Sequence, residues 1–202
     1  MNIIEEAVKI LEEKISGSGC DDGVVSFRIK EEGRICPFTR GECLETAYGG
    51  RRVFMATEYP FEVKTKISFM YNSGFDNGVK RTAACAIINS LTDFMCFTRL
   101  SSACVEGMEK DCLLKLKENI GDRKVFLNGN MPLLEEELRS KTVESPEDSD
   151  LIIVPAGGLF SDSGIEIIEK YRGEKEMIFT GPGTAGICNI LKLNHFCPFG
   201  KK

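Results

Sequence analysis

Apolar positions along this chain change period between its two halves. The opening stretch MNIIEEAVKILEEKI spaces its apolar residues at helical intervals with glutamates between them, which predicts an amphipathic first helix. VVSFRIK then alternates Val25, Phe27 and Ile29 against Ser26, Arg28 and Lys30, and EEGR follows. Together they predict a β-hairpin running through GVVSFRIKEEGRICPF. RRVFMATEYPFEVKTKISFMY offers more strand-like material around Pro60. NSGFDNGVKRTAACAIINSLTDFM passes from turn residues into a helix, with Ala83, Ala84, Ile87, Ile88 and Leu91 on one face and Asp76 or Asn77 as its cap.

The second half has a regular beat. RKVFLNG, SDLIIVPAGG and EKEMIFTGPGT read as three short apolar strands. Helices follow them in MPLLEEELRSK, in SDSGIEIIEKYRG (capped by Ser161 or Ser163 and closed by Gly173) and in AGICNILKL. Strands with continuous apolar character are buried on both faces, and that implies a parallel sheet covered by helices. The predicted fold class is α/β: a small α+β domain over residues 1–107, then a Rossmann-like parallel-sheet domain over residues 108–202.

The parallel sheet directs attention to one edge. Every strand end and following helix start falls there, and helix N-terminal amides point outward from it. Gly157, Gly158, Gly181 and Gly183 carry no Cβ to obstruct a ligand, Pro182 sits between two of them, and Thr184 offers a cap and a hydroxyl. These are the candidate ligand-binding residues. The alternative is that the glycines serve tight strand-to-helix turns, because neither stretch is a Walker loop or a dinucleotide fingerprint.

The same residues carry a family resemblance. DLIIVPAGGLFSDSGIEIIEKYR followed by MIFTGPGTAGICNIL resembles the C-terminal part of a poorly characterised prokaryotic family labelled for heavy-metal chelation. RTAACAIINSL is similar to that family's helix of small residues, with Asn89 as the matching Asn, and the early strands are similar in position to its small domain. Gly181, Pro182, Gly183 and Thr184 match the family's turn, while Ala185 stands where Pro is usual. The resemblance implies an enolase-N-terminal-like small domain before the Rossmann-like one, a cleft between them and a metal-related role.

Nine cysteines make the chain cysteine-rich, and their odd number and irregular spacing point to free thiols in a reducing compartment. No C-x-x-C occurs. The tripeptide Cys-Pro-Phe does occur twice, at 36–38 and 197–199. If the two ends of the chain meet, Cys36, Cys43, His195 and Cys197 would form a soft transition-metal site. Against this, free cysteine often acts as a small buried hydrophobe, and Cys85 and Cys188 read as core. GECLETAYGGRR reads as a solvated helix end with a flexible turn, or else as a carboxylate pair, Glu42 and Glu45, beside Arg51 and Arg52. Phe61, Phe69, Tyr71 and Phe75 read as core aromatics.

A formal net charge of -5 gives no electrostatic footprint for nucleic acid and no patch for a membrane surface. The start lacks a signal peptide's basic front, and no apolar run approaches the roughly 20 residues that span a bilayer, so the expected compartment is the cytoplasm. No nucleophile, base and orienter set can be built around a single His. The expected partner is a metal ion, a metal chelate or a small anionic ligand in the interdomain cleft. An enzyme using a nucleotide-like cofactor there, or an assembly protein without a small-molecule site, are the alternatives, and a homo-oligomer is left open.

Overall fold

The computed structural model describes residues 1–100 and 102–200, with Asn72 described by its backbone alone. Helix α1 (Ile3–Ile15) starts at Asn2, whose side-chain oxygen accepts from the amides of Ile4 and Glu5 while the Glu5 carboxylate accepts from the Asn2 amide. This reciprocal cap satisfies amides that no helical carbonyl can reach. Ile4, Ala7, Val8, Leu11 and Ile15 form its buried face.

Strands β1 (Val24–Ile29), β2 (Glu42–Tyr48), β3 (Arg51–Thr57) and β4 (Val63–Lys66) make an antiparallel sheet in the order β3-β2-β1-β4. The hairpin expected within residues 23–38 is different: β1 pairs with β2 across residues 30–41. Cys36 begins a turn instead of a strand, because Pro37 suits its second position and the Thr39 amide donates back to the Cys36 carbonyl at 3.0 Å. The stretch read as a helix end, GECLETAYGGRR, is the β2–β3 hairpin. Gly49 and Gly50 have φ of 55° and 77°, the conformation that a type I′ turn requires at both central positions. Strand alternation also separates the expected carboxylate pair, leaving Glu42 exposed and Glu45 buried.

Helix α2 (Gly78–Phe94) is capped by Asn77, whose Oδ1 accepts from the Lys80 amide at 3.0 Å. One buried face was expected, yet every residue from Arg81 to Asp93 is buried. The helix lies between the antiparallel sheet, through β2 and β3, and helices α1 and α7 (Ala185–Leu191).

Strands β5 (Val125–Leu127), β6 (Leu151–Val154), β7 (Glu176–Thr180) and β8 (His195–Phe196) form a parallel sheet in that order. An α+β unit is thus followed by a Rossmann-like parallel sheet. Its two faces feed two cores. Leu151, Ile153 and Ile178 pack with helices α3 (Glu109–Ile120) and α4 (Pro132–Glu137). Ile152, Val154, Met177 and Phe179 join a core that takes in α1, α2, α6 (Asp162–Tyr171) and α7. This two-sided burial is why the strands read as unbroken apolar runs. The expected Ser161 cap of α6 is present, accepting from the Gly164 amide at 3.1 Å. Residues 156–160, expected as an open turn, coil into a short helix, α5 (Ala156–Phe160). Among the described residues no helix is long and apolar enough to cross a membrane.

Two buried polar side chains tie α2 to the second half. Arg81 donates to the carbonyls of Phe160 (2.7 Å) and Phe75 (3.0 Å) and pairs with Asp162. Asn89, 4% exposed, donates to the Gly183 carbonyl at 2.9 Å and accepts from the Gly186 amide at 2.7 Å. Replacing Asn89 by Ala strands both backbone groups, and since a buried unpaired group costs about 1–3 kcal/mol, a loss of roughly 2–4 kcal/mol is expected. Urea unfolding measures it, and an unchanged midpoint would refute the role.

Candidate functional site

The turns after β6 and β7 stand on the carboxyl edge of the parallel sheet, but β3 and α2 pack against them. Their glycines are used for close approach. A Cβ on Gly158 would fall 2.2 Å from the Asn128 carbonyl oxygen, and one on Gly183 would fall 2.7 Å from the Cβ of Ala156. Thr184 is fully buried, and its hydroxyl donates inward to the carbonyls of Thr180 and Gly181, both at 3.1 Å, instead of capping a helix. Gly157 has open space where a Cβ would stand. Gly181 (φ 80°) and Pro182 differ from the others, because they form part of the wall of a cavity.

That cavity, about 30 Å³ in volume, gathers four thiols from four separate segments. Cys36 comes from the β1–β2 connection, Cys104 from the stretch after α2, Cys112 from the first turn of α3, and Cys197 from the end of β8. Met131, Thr180 and Phe196 extend the wall along the carboxyl ends of β5, β7 and β8, so the cavity lies on the edge where parallel sheets take ligands. Phe38, Leu116 and Phe199 make the remaining walls mainly apolar. Thr180 is 7% exposed and its hydroxyl has no hydrogen-bond partner.

The two Cys-Pro-Phe tripeptides fold alike. In each, the residue three beyond the cysteine returns its amide to the cysteine carbonyl, Thr39 to Cys36 at 3.0 Å and Gly200 to Cys197 at 3.4 Å. Each sulfur also receives a backbone N–H, from Phe38 at Cys36 and from Gly200 at Cys197. An N–H aimed at sulfur favours the thiolate. The surroundings oppose it. Burial pushes Cys36 up to about 11 and Cys112 and Cys197 up to about 12, and it raises Cys104 as well. The neighbouring thiols add to this, since Cys36, Cys104 and Cys112 each push Cys197 up. Without a cation these sulfurs stay protonated; several thiolates in this space require a positive partner.

The four residues expected to share a metal are therefore divided. Cys36 and Cys197 meet at the cavity. Cys43 is buried in β2 against Gly33, whose missing Cβ would lie 2.2 Å from its sulfur. His195 precedes Phe196 on β8, so alternation turns it to the other face, where its Nε2–H donates to the Gly181 carbonyl at 2.9 Å. Cys104 and Cys112 were not expected. The only sequence signal is the four-residue step from Cys112 to Leu116, which puts both on one face of α3. Cys85 and Cys188 are core residues, as their apolar settings suggested. Among the aromatics, Phe75 is buried and Phe61 packs on Phe27 with ring centres 5.0 Å apart, while Phe69 is exposed. Among the described residues no three His, Cys, Asp or Glu side chains stand close enough to hold one metal ion. A wider recess of about 510 Å³ opens beside the cavity, with Lys30, Arg34 and the buried Glu45 on its wall.

No protein-family model matches the chain, and no curated protein matches it. Among solved structures, the chain is similar to a protein of unknown function from the DUF364 family of Pyrococcus horikoshii. The two are 16% identical with a TM-score of 0.45, over 90% of this chain and 78% of that one.

Packing at the glycine turn is open to a direct check. Gly183→Ala forces a methyl against Ala156, and overpacking of this kind typically costs about 1–3 kcal/mol. The variant is expected to unfold at lower temperature than the wild type; an unchanged melting point would mean that the turn has room for a ligand.

Proposed function

We propose that this protein binds a soft metal with thiolates drawn from Cys36, Cys104, Cys112 and Cys197, which line one cavity at the carboxyl edge of its parallel sheet and would have to close in to share an ion. One observation carries the reading: two identical Cys-Pro-Phe turns, one from each end of the chain, converge on a single cavity with two further thiols. Thiolates suit soft and borderline metals such as zinc, copper(I) or iron in clusters. A bound cation would offset the burial and, to a lesser degree, the mutual repulsion that hold these sulfurs protonated, and the amides of Phe38 and Gly200 already point at two of them. A nucleotide-like cofactor on the glycine turns finds less support, since Gly158, Gly183 and Thr184 are committed to packing and internal hydrogen bonds.

Elemental analysis of untagged protein purified without oxygen tests the reading. Stoichiometric metal is expected in the wild type and in Cys96→Ser, whose cysteine is exposed and does not line the cavity. Cys104→Ser and Cys197→Ser are expected to lose most of it. Wild-type protein that is metal-free, and that gains no thermal stability from zinc, copper(I) or iron with sulfide, would overturn the proposal.

A further inference from the structure

The wide recess of about 510 Å³ lies on the outer face of the antiparallel sheet, and none of the four thiols lines it. Strand alternation explains its floor. Leu44 and Met55 point into the large core, so their neighbours Glu45 and Phe54, which pair directly across β2 and β3, point the other way. Ala103 and Val105, from the stretch after α2, close one side, and Arg34 closes another. The volume suits a small organic molecule, for which pockets run to roughly 300–1,000 Å³.

Glu45 is 5% exposed and yet short of hydrogen bonds. Its carboxylate oxygens stand 4.0 Å from Lys30 Nζ and 3.6 Å from Arg52 Nη1, distances at which ions attract but no hydrogen bond forms. Among the described residues nothing donates a hydrogen bond to them, although a carboxylate accepts up to about four. The unused capacity faces the recess. Lys30 and Arg52 already answer the charge of Glu45, and Arg28 stands directly opposite it on β1. A cationic group entering here would be repelled by all three, whereas a neutral N–H or O–H would not.

Arg34 supplies a second anchor. Among the described residues it makes no ion pair, and its planar fork matches a carboxylate. In a chain of net charge -5 this locality is positive, with Arg28, Lys30, Arg34 and Arg52 set against Glu32 and Glu45. An anion is therefore favoured. Phe54, Ala103 and Val105 are apolar, so the body of the ligand is apolar too. We propose that the recess binds a small aromatic carboxylate bearing a neutral N–H or O–H donor. Arg34 and Lys30 hold the carboxylate, Phe54 and Val105 cover the ring, and Glu45 accepts from the donor.

Calorimetric titration of the full chain with benzoate, aniline and the three aminobenzoates tests this. An aryl amine is neutral at pH 7, so it offers N–H groups without bringing a cation. At least one aminobenzoate is expected to bind about tenfold tighter than benzoate, the gain of a hydrogen bond to a charged acceptor, and aniline to bind weakest. Arg34→Gln is expected to weaken that aminobenzoate and benzoate alike, by about tenfold. Glu45→Gln, checked for folding by circular dichroism, is expected to shrink the advantage of the aminobenzoate while benzoate binds no worse. The comparison of ligands on the wild-type protein stands even if that variant fails to fold. No aminobenzoate bound at millimolar concentration would overturn the proposal. So would equal affinity for benzoate and all three aminobenzoates, or binding that Arg34→Gln leaves unchanged.

Discussion

From Arg81 to Asp93 helix α2 has no solvent-facing residue, and the architecture depends on that burial. A helix hydrophobic on one stripe can sit on one sheet; a helix buried all round needs covering on both sides. The antiparallel sheet supplies one cover, and α1 with α7 supplies the other. Thr82, Ala83, Ala84, Cys85, Ala86 and Ser90 keep the helix slim enough for both layers to approach. Two of the polar side chains that such burial traps make specific bonds across the layers: Arg81 answers two carbonyls, and Asn89 answers one carbonyl and one amide, while the Ser90 hydroxyl and one Asp93 oxygen are buried without a partner. With α2 fixed in this way, the β1–β2 connection reaches the carboxyl ends of β7 and β8, and Cys36 arrives beside Cys197.

The thiol cavity sits where the smaller of the two cores ends, and Cys36, Cys112 and Phe196 pack against that core. Its chemistry follows from competing influences. Burial and mutual repulsion hold the sulfurs protonated, while backbone amides and the Arg34 charge pull toward thiolate. In the protein alone burial prevails and the thiols keep their protons. A cation decides the balance, because it removes the repulsion and replaces the lost hydration together.

Much of the fold was readable from pattern. Continuous apolar runs indicated a parallel sheet because β6 and β7 face two cores at once, and cap residues such as Asn77 and Ser161 marked helix starts through a local rule. Long-range pairing was less legible. EEGR has turn composition, yet β1 finds its partner beyond it in β2, since register is set by the whole sheet and not by the nearest turn. At the site, the repeated Cys-Pro-Phe pointed to the meeting of Cys36 and Cys197. His195 was separated from them by simple strand alternation, and Cys104 and Cys112 join through tertiary contact, with only the step from Cys112 to Leu116 as a trace of it in the sequence. Asn89, noticed through a resemblance, serves as the bridge between α2 and the 181–186 turn.

The two Cys-Pro-Phe turns lie nearly the whole chain apart, and no fragment lacking either one contains the cavity. Whatever bridges them therefore closes a covalent circuit running through both sheets and the helix between them. The entropy removed from an unfolded chain by such a closure grows with the length enclosed, so this is among the most effective places in the molecule for a rivet. A group held there would act on the stability of the entire chain and not only on its own surroundings.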